Sequence, residues 1–269
     1  MENKTYVIGD IHNAYRAFKQ VLKRSPYKKG DTLILLGDYV DGWSEGAQLV
    51  QFLIEMKEDG HNLICIQGNH DTWTYEWLQF GHSDGIWLQQ GGQATYESYL
   101  KTGYFYGIEG EKHKKFFREL HHYFLDDENR LFLHAGFTSH KGVEKEIHRP
   151  NFWWDRTLWE SAVGAKRVTD PLHIPKRFKN YNEIYIGHTA TVNWDYKQGW
   201  DENGELGTPI VTPMNSQNVW NLDTGCGFRG KLTIMDIDSK EYWQSDLVKK
   251  LYPDHDGRGE FNRNWKKKK

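Results

Sequence analysis

Thr5-Tyr6-Val7-Ile8-Gly9-Asp10-Ile11-His12 decides the fold. Four β-branched or aromatic residues make a run of strand length. Glycine and aspartate end it at a turn that carries two metal-capable side chains. The pattern recurs along the chain. Thr32 to Leu36 runs into Gly37-Asp38, Leu63 to Ile66 into Gly68-Asn69-His70, Leu131 to Leu133 into His134-Ala135-Gly136, and Ile184 to Ile186 into Gly187-His188. Between the first three runs the apolar residues take helical spacing: Ala14, Ala17, Phe18, Val21 and Leu22 over about 14–24, then Leu49, Phe52, Leu53 and Met56 over about 45–58. Pro26 and Gly30 break the first helix, and Gly60 stops the second. This β-α-β-α-β order predicts an α/β fold with parallel strands at about 5–9, 32–36 and 62–67.

From Thr72 to about Phe124 strand signals give way to helical periodicity rich in aromatics, among them Trp73, Trp77, Trp87, Tyr99, Phe116 and Phe117. The stretch 72–125 reads as a helical, aromatic-rich cap inserted between strands, with Gly91-Gly92 turning between helices. Strands are expected again at about 130–134, 183–187, 218–222 and 231–237, with a short helix near Arg156–Ala162 and a long loop over 193–217. Residues 1–255 are expected to form one domain, followed by a basic tail, 256–269, whose last stretch, Trp265 to Lys269, ends in four lysines and reads as a solvated end, with a nucleic-acid arm as the alternative.

The 269 residues, 38% hydrophobic and 15% aromatic, suffice for a sizeable core. The 12 tryptophans suggest broad apolar or stacking surfaces. A formal net charge of −2 argues against nucleic acid as a bulk electrostatic partner. No apolar stretch approaches the length of a membrane span, and no signal peptide is read before Thr5. Two cysteines, Cys65 and Cys226, make no disulfide framework, so the expected compartment is the reducing cytoplasm.

Taken singly, the polar residues at these strand ends are ordinary. Asp after Gly usually makes a turn or a helix cap, and a lone His at a strand end is usually structural. Five strand ends bearing Asp, His and Asn suggest one rim of a sheet holding hard or borderline metal ions. Asp10 and His12 can face one ion. Asp38, with two carboxylate oxygens, can bridge two. Asn69 offers a neutral oxygen, and His134 and His188 offer imidazole nitrogens. Asp71 reads as a helix cap or a support.

Gly9-Asp10-Ile11-His12, Gly37-Asp38-Tyr39-Val40-Asp41, Gly68-Asn69-His70-Asp71, His134-Ala135-Gly136 and Gly187-His188-Thr189 together resemble the calcineurin-like metallophosphoesterases, in family order. The style is that of the phosphoprotein phosphatase branch. Trp87-Leu88-Gln89-Gln90-Gly91-Gly92 with Thr95, Ser98 and Tyr99 resembles a cap motif of bacterial members, which include phage-type protein phosphatases and symmetrical diadenosine tetraphosphate hydrolases. Asn221-Leu222-Asp223-Thr224-Gly225-Cys226 resembles a late strand motif of the same group.

The resemblance implies a four-layer α/β/β/α sandwich with two metal ions at the strand ends. It implies that Asp10, His12 and Asp38 hold one ion, and that Asp38, Asn69, His134 and His188 hold the other. Manganese is the expected ion in vitro, with iron or zinc as alternatives. It further implies in-line attack on phosphorus by a hydroxide shared between the ions, with His70 as general acid and Asp41 orienting it. Phosphate monoesters, serine/threonine phosphatase style, are the leading substrate class, and dinucleoside polyphosphates or nucleotide diesters the alternative. The partner would then be a phosphorylated small molecule, a nucleotide or a phosphoprotein.

Two departures from the family pattern stand out. Asn13 occupies the place of a glycine, which Asn can fill because it tolerates left-handed backbone. Gly42-Trp43 follows Asp41 where the family often has Arg-Gly, so one phosphate-clamping arginine is absent. Trp154-Asp155-Arg156 matches the site of a second family arginine, making Arg156, together with Asn69, the expected phosphate contact; Arg229 is a distant candidate for the missing clamp. Trp43 can pack under the cap or stack on a nucleobase.

Overall fold

The computed structural model describes residues 3–83, 85–170, 172–194 and 210–258. Strands β1 (Thr5–Ile8), β2 (Thr32–Leu35) and β3 (Asn62–Cys65) are parallel and alternate with helices α1 (Tyr15–Arg24) and α2 (Gly46–Glu58), as the periodicity predicts. Helices α3 (Asn69–Phe80), α4 (Gly85–Trp87), α5 (Gln93–Thr102) and α6 (Gly107–Arg118) follow. A wide turn at Leu88–Gly92, with Gly91 at φ 109°, joins α4 to α5. The second half holds β4 (Tyr123–Leu125), β5 (Arg130–Leu133), α7 (Asn151–Trp154), α8 (Thr157–Gly164), β6 (Glu183–Ile186), β7 (Met214–Ser216) and β8 (Val219–Asn221). It closes with β9 (Thr233–Asp236), β10 (Tyr242–Gln244) and α9 (Val248–Leu251).

Two five-stranded sheets result, in the orders β10-β9-β1-β2-β3 and β4-β5-β6-β8-β7. Side-chain alternation builds the layers. Tyr6, Ile8, Leu33 and Leu35 point outward into a core shared with Phe18 and Val21 of α1 and Leu49 and Leu53 of α2. Val7 and Ile34, one residue out of phase, point inward and meet Phe132 and Tyr185 of the second sheet. Leu131, Leu133, Ile184 and Ile186 point outward on the far side, against Leu158, Trp159 and Ala162 of α8. Helix, sheet, sheet and helix therefore stack as the expected four layers. Because every central strand is buried on both faces, its sequence reads as a continuous apolar run rather than an alternation.

Three short strands went unpredicted. β4, β7 and β10 have three residues each and lie at sheet edges, too short to show a period of two. β4 falls inside the stretch expected to be helical cap. β7 falls inside the expected loop over 193–217, of which 195–209 lie outside the described residues. Beyond α9 the chain stays against the body as far as Arg258: Tyr252 stacks on Trp43 with ring centroids 5.3 Å apart, and Arg258 N donates to Gly227 O. The four terminal lysines lie outside the described residues.

Candidate active site

The turns after β1 and β2 are laced together by their backbones. Ile11 N and His12 N both donate to Asp38 O, and Asn13 N donates to Tyr39 O. His12, Asn13, Asp38 and Asp41 in these turns, and His188 after β6, all take positive φ, between 51° and 67°. Only three other described non-glycine residues do so, which places the backbone strain of this fold largely at one locus. Asn13 supports its own strained backbone: its Nδ2 donates to Trp43 O at 2.7 Å and to Thr95 Oγ1 at 3.1 Å.

Asp71, in the first turn of α3, fastens the Asp38 turn from below. Its carboxylate accepts from Gly68 N at 2.8 Å, Asp38 N at 2.9 Å and Tyr39 N at 3.0 Å. Burial first, then the neighbouring Asp38 charge, lifts its pKa to about 7. The second sheet joins at two points. His134 Nδ1 donates to Leu36 O at 2.8 Å, and His188 N donates to Asp10 Oδ1 at 3.0 Å. Gly187 admits that approach, since a Cβ there would lie 2.1 Å from Asp10 Oδ1.

These loops bring Asp10, His12, Asp38, Asn69, His134 and His188 into one buried cluster. His12 Nε2 lies 3.7 Å from Asp10 Oδ2 and 3.6 Å from Asp38 Oδ2. His134 Nε2 lies 3.5 Å from Asp38 Oδ2 and 3.2 Å from Asn69 Oδ1, and His188 Nδ1 lies 3.0 Å from that same amide oxygen. Asp38, His134 and His188 form one group with ligand atoms mutually within 4.8 Å; His12, Asp38 and His70 form another.

The donor set suits cations. Backbone carbonyls accept from Nδ1 of both His12 (Val40 O, 3.1 Å) and His134, which turns each Nε2 toward the cluster, where it can bind a cation once deprotonated. His134 Nε2 faces the Asn69 side-chain oxygen at 3.2 Å. His188 Nε2 is buried without a hydrogen-bond partner. Charge points the same way. Burial, then the Asp223 carboxylate, holds Asp10 well above the usual carboxylate range. Burial pulls His134 down, but the Asp38 and Asp10 charges outweigh it and lift its pKa to about 10. Such a concentration of negative charge is what bound cations would neutralise.

Beside the cluster, His70 Nδ1 lies 2.7 Å from Asp41 Oδ2, both groups fully buried. Trp87 Nε1 donates to that same Oδ2 at 2.8 Å, and Thr95 Oγ1 donates to Oδ1 at 2.7 Å. Burial drives the His70 ring pKa well down and the Asp41 carboxyl well up, the latter opposed by the Thr95 and Trp87 bonds. Trp73 sits edge-on to His70 at 5.2 Å and contacts Trp154, which itself meets His188 at 6.2 Å. Trp154 remains 43% exposed, so the rim of the cluster carries an open aromatic face.

Of the arginines singled out from sequence, Arg156 lies at the start of α8, its Nη1 3.3 Å from both His188 O and Thr189 Oγ1. Arg229 is exposed on the connection between β8 and β9. Trp43 is fully buried, donating from Nε1 to Cys226 O at 2.8 Å, so it packs rather than presenting a stacking face. Both cysteines are free and buried.

Sequence reasoning missed three participants. Trp87 and Thr95 stood in a quoted motif but had no assigned role. Arg258 had no local signal at all: 246 residues from His12, its Nη1 reaches His12 Nε2 at 3.3 Å.

Comparison with known proteins agrees with this geometry. Residues 4–202 match the calcineurin-like phosphoesterase family. The symmetrical bis(5'-nucleosyl)-tetraphosphatase of Pseudomonas putida is 34% identical, over 91% of this chain and 93% of that protein. An asymmetrical bis(5'-nucleosyl)-tetraphosphatase of Oceanobacillus iheyensis is 22% identical over 89% of this chain and 90% of its own length. Among solved structures, a metallophosphoesterase from Sphaerobacter thermophilus superposes with a TM-score of 0.54 at 14% identity, covering 93% of this chain and 94% of that one. A protein serine/threonine phosphatase from Saccharomyces cerevisiae gives 0.54 at 11% identity, covering 95% and 83%. With sandwich, strand-end cluster and family match in agreement, this chain belongs to the calcineurin-like phosphoesterases.

Proposed function

We propose that the protein is a binuclear metal-dependent phosphoesterase that hydrolyses phosphate monoesters. The observation that carries this reading is the convergence of six metal-capable side chains from both sheets beside the His70–Asp41 pair. Asp10, His12 and Asp38 would hold one ion; Asp38, Asn69, His134 and His188 would hold the other. When bound, such a pair supplies Lewis acidity toward phosphate and an acidified water at neutral pH. The mixed nitrogen and oxygen donors suit manganese, iron or zinc, and manganese is the ion to add first.

The chain's own groups supply the rest. Asp41 accepts from His70 Nδ1 and so fixes the ring, leaving Nε2 to deliver a proton to the departing oxygen. Arg156, tethered to the carbonyl of His188, is placed to meet a phosphate oxygen at the rim, and the Asn69 amide lies in the same cluster. That Cys65 and Cys226 are free and buried supports a cytoplasmic setting. Among the described residues no helix is long and apolar enough to cross a membrane.

A second reading, hydrolysis of dinucleoside polyphosphates, is supported by the Pseudomonas putida relative and by the Trp73–Trp154 rim, a surface on which a base can stack. A substrate panel on manganese-loaded protein tests both: p-nitrophenyl phosphate, a phosphopeptide, bis-p-nitrophenyl phosphate and diadenosine tetraphosphate, with chelated protein as control. Chelator-sensitive turnover of the monoesters supports the first reading. Preference for diadenosine tetraphosphate moves the assignment to the second, and no metal-dependent turnover of any of the four rejects both.

A further inference from the structure

Where the family pattern has Asp-Arg-Gly, this chain has Asp41-Gly42-Trp43, and yet a guanidinium stands at the cluster. It belongs to Arg258, and the path by which it arrives is built into the fold. After α9, Tyr252 stacks on Trp43, its hydroxyl bonds Glu45 and accepts from Arg16 N at 3.0 Å. His255 packs against the same indole at 5.7 Å. Gly257 crosses it so closely that a Cβ there would lie 2.7 Å from the Trp43 ring. Arg258 N then donates to Gly227 O at 2.9 Å, and the side chain turns inward over Phe228, with Cζ 5.0 Å from that ring.

The arginine stem runs through a slot walled by three glycines. A Cβ on Gly42 or Gly91 would stand 3.3 Å from Arg258 Cγ, and one on Gly227 would stand 3.2 Å from Cδ. The head is aimed by Gln90, whose backbone oxygen accepts from Nε and whose Oε1 accepts from Nη2, both at 3.2 Å. Nη1 is left to point at His12 Nε2.

We propose that Arg258 is a substrate-binding residue, supplying from the C-terminal end of the chain the phosphate-clamping guanidinium that the Gly42-Trp43 sequence lacks. The two substitutions then have complementary purposes. Gly42 clears space for the incoming stem, and Trp43 is the platform on which the segment carrying it is laid. A guanidinium 3.3 Å from a candidate ligand atom lies within bonding reach of an anion seated on the same cluster, and its fork geometry matches phosphate oxygens. The inference rests on the phosphoesterase reading and adds to it a second anion contact, at His12 where Arg156 lies at His188.

The test compares wild type, Arg258→Ala and Arg258→Lys as full-length proteins, with thermal melting to establish that each is folded. Three quantities are measured: manganese affinity of the metal-free protein, calorimetric affinity of the manganese-loaded protein for inorganic phosphate, and KM and kcat for p-nitrophenyl phosphate. The expected result for Arg258→Ala is a loss of about 10- to 100-fold in phosphate affinity with a matching rise in KM, manganese affinity staying within about twofold. Arg258→Lys should retain part of that affinity, and millimolar guanidinium ion should restore part of it to Arg258→Ala. Unchanged phosphate affinity in Arg258→Ala overturns the proposal. So does tighter manganese binding without loss of phosphate affinity, which would make the guanidinium a competitor for the first ion. Failure of the wild type to bind manganese and turn over substrate would instead reject the phosphoesterase reading itself.

Discussion

The indole Nε1 of Trp87 donates a 2.8 Å hydrogen bond to Oδ2 of Asp41, the same oxygen that faces His70 Nδ1 at 2.7 Å. A residue at the end of α4 thus sets the carboxylate that sets the histidine. Trp87→Phe keeps an aromatic ring, though a smaller one, and removes the donor, freeing Asp41 to rotate away from His70. Turnover of p-nitrophenyl phosphate should fall about tenfold with KM nearly constant, as expected for one lost bond to a charged acceptor. A variant with wild-type kcat would show that Trp87 only fills space.

His70→Asn should reduce kcat by about 10²–10⁴-fold while leaving metal content unchanged. The loss should be larger for an alkyl phosphate than for p-nitrophenyl phosphate, because a good leaving group needs little protonation. Equal losses on the two esters, or displaced metal, would remove His70 from the role of acid.

Metal loading should stabilise the fold, because Asp10 and Asp38 are buried beside each other and beside Asp223. Manganese at about 100 times its dissociation constant contributes about 2.7 kcal/mol to the native state. In a chain of this size that raises Tm by about 5–10 °C over chelated protein in a thermal scan. Asp38→Asn, which removes the charge shared by both groups, should abolish most of the rise. Identical Tm values with and without metal would contradict the cluster's assignment.

Acid should destabilise the protein partly through His113, which lies far from the cluster in sequence and is buried on α6. Tyr99 Oη lies 2.8 Å from its Nδ1, and Gln51 Oε1 lies 3.0 Å from its Nε2. Burial first, then Lys112, lowers its pKa to about 4 from an ordinary 6.5. The native ring therefore stays neutral while the unfolded chain takes up a proton below 6.5. His113 costs nothing above pH 6.5, costs increasingly more as pH falls toward 4, and levels off at about 3 kcal/mol below that. Urea unfolding of wild type and His113→Gln between pH 7.5 and 4 checks this. The stability gap between them should narrow as pH drops, and a constant gap would refute the account.

Much of this architecture is legible in the sequence because burial and chemistry coincide at strand ends. Val7-Ile8-Gly9-Asp10 declares an apolar strand, a tight turn and a candidate ligand in four letters. Asn13 is legible too, since few residues other than glycine accept φ 65°. Edge strands such as Met214–Ser216 are not, because one apolar residue in three carries no period. Trp87 was visible as a motif but not as a bond, because its partner Asp41 lies 46 positions away. Arg258 was invisible: its partners Gln90, His12 and Gly227 come from three separate turns, and only the folded path over Trp43 joins them.

The layer of Val7, Ile34, Phe132 and Tyr185 between the sheets has a consequence for anyone who would transplant this chemistry. Half of the second cradle, Asp38 and Asn69, hangs from one sheet, and the other half, His134 and His188, hangs from its neighbour. The spacing between the halves is metered by greasy side chains from both sheets, Val7 and Ile34 of one packed on Phe132 and Tyr185 of the other. Grafting the loops alone onto a foreign scaffold would move the jaws without the hinge pin that sets their gape.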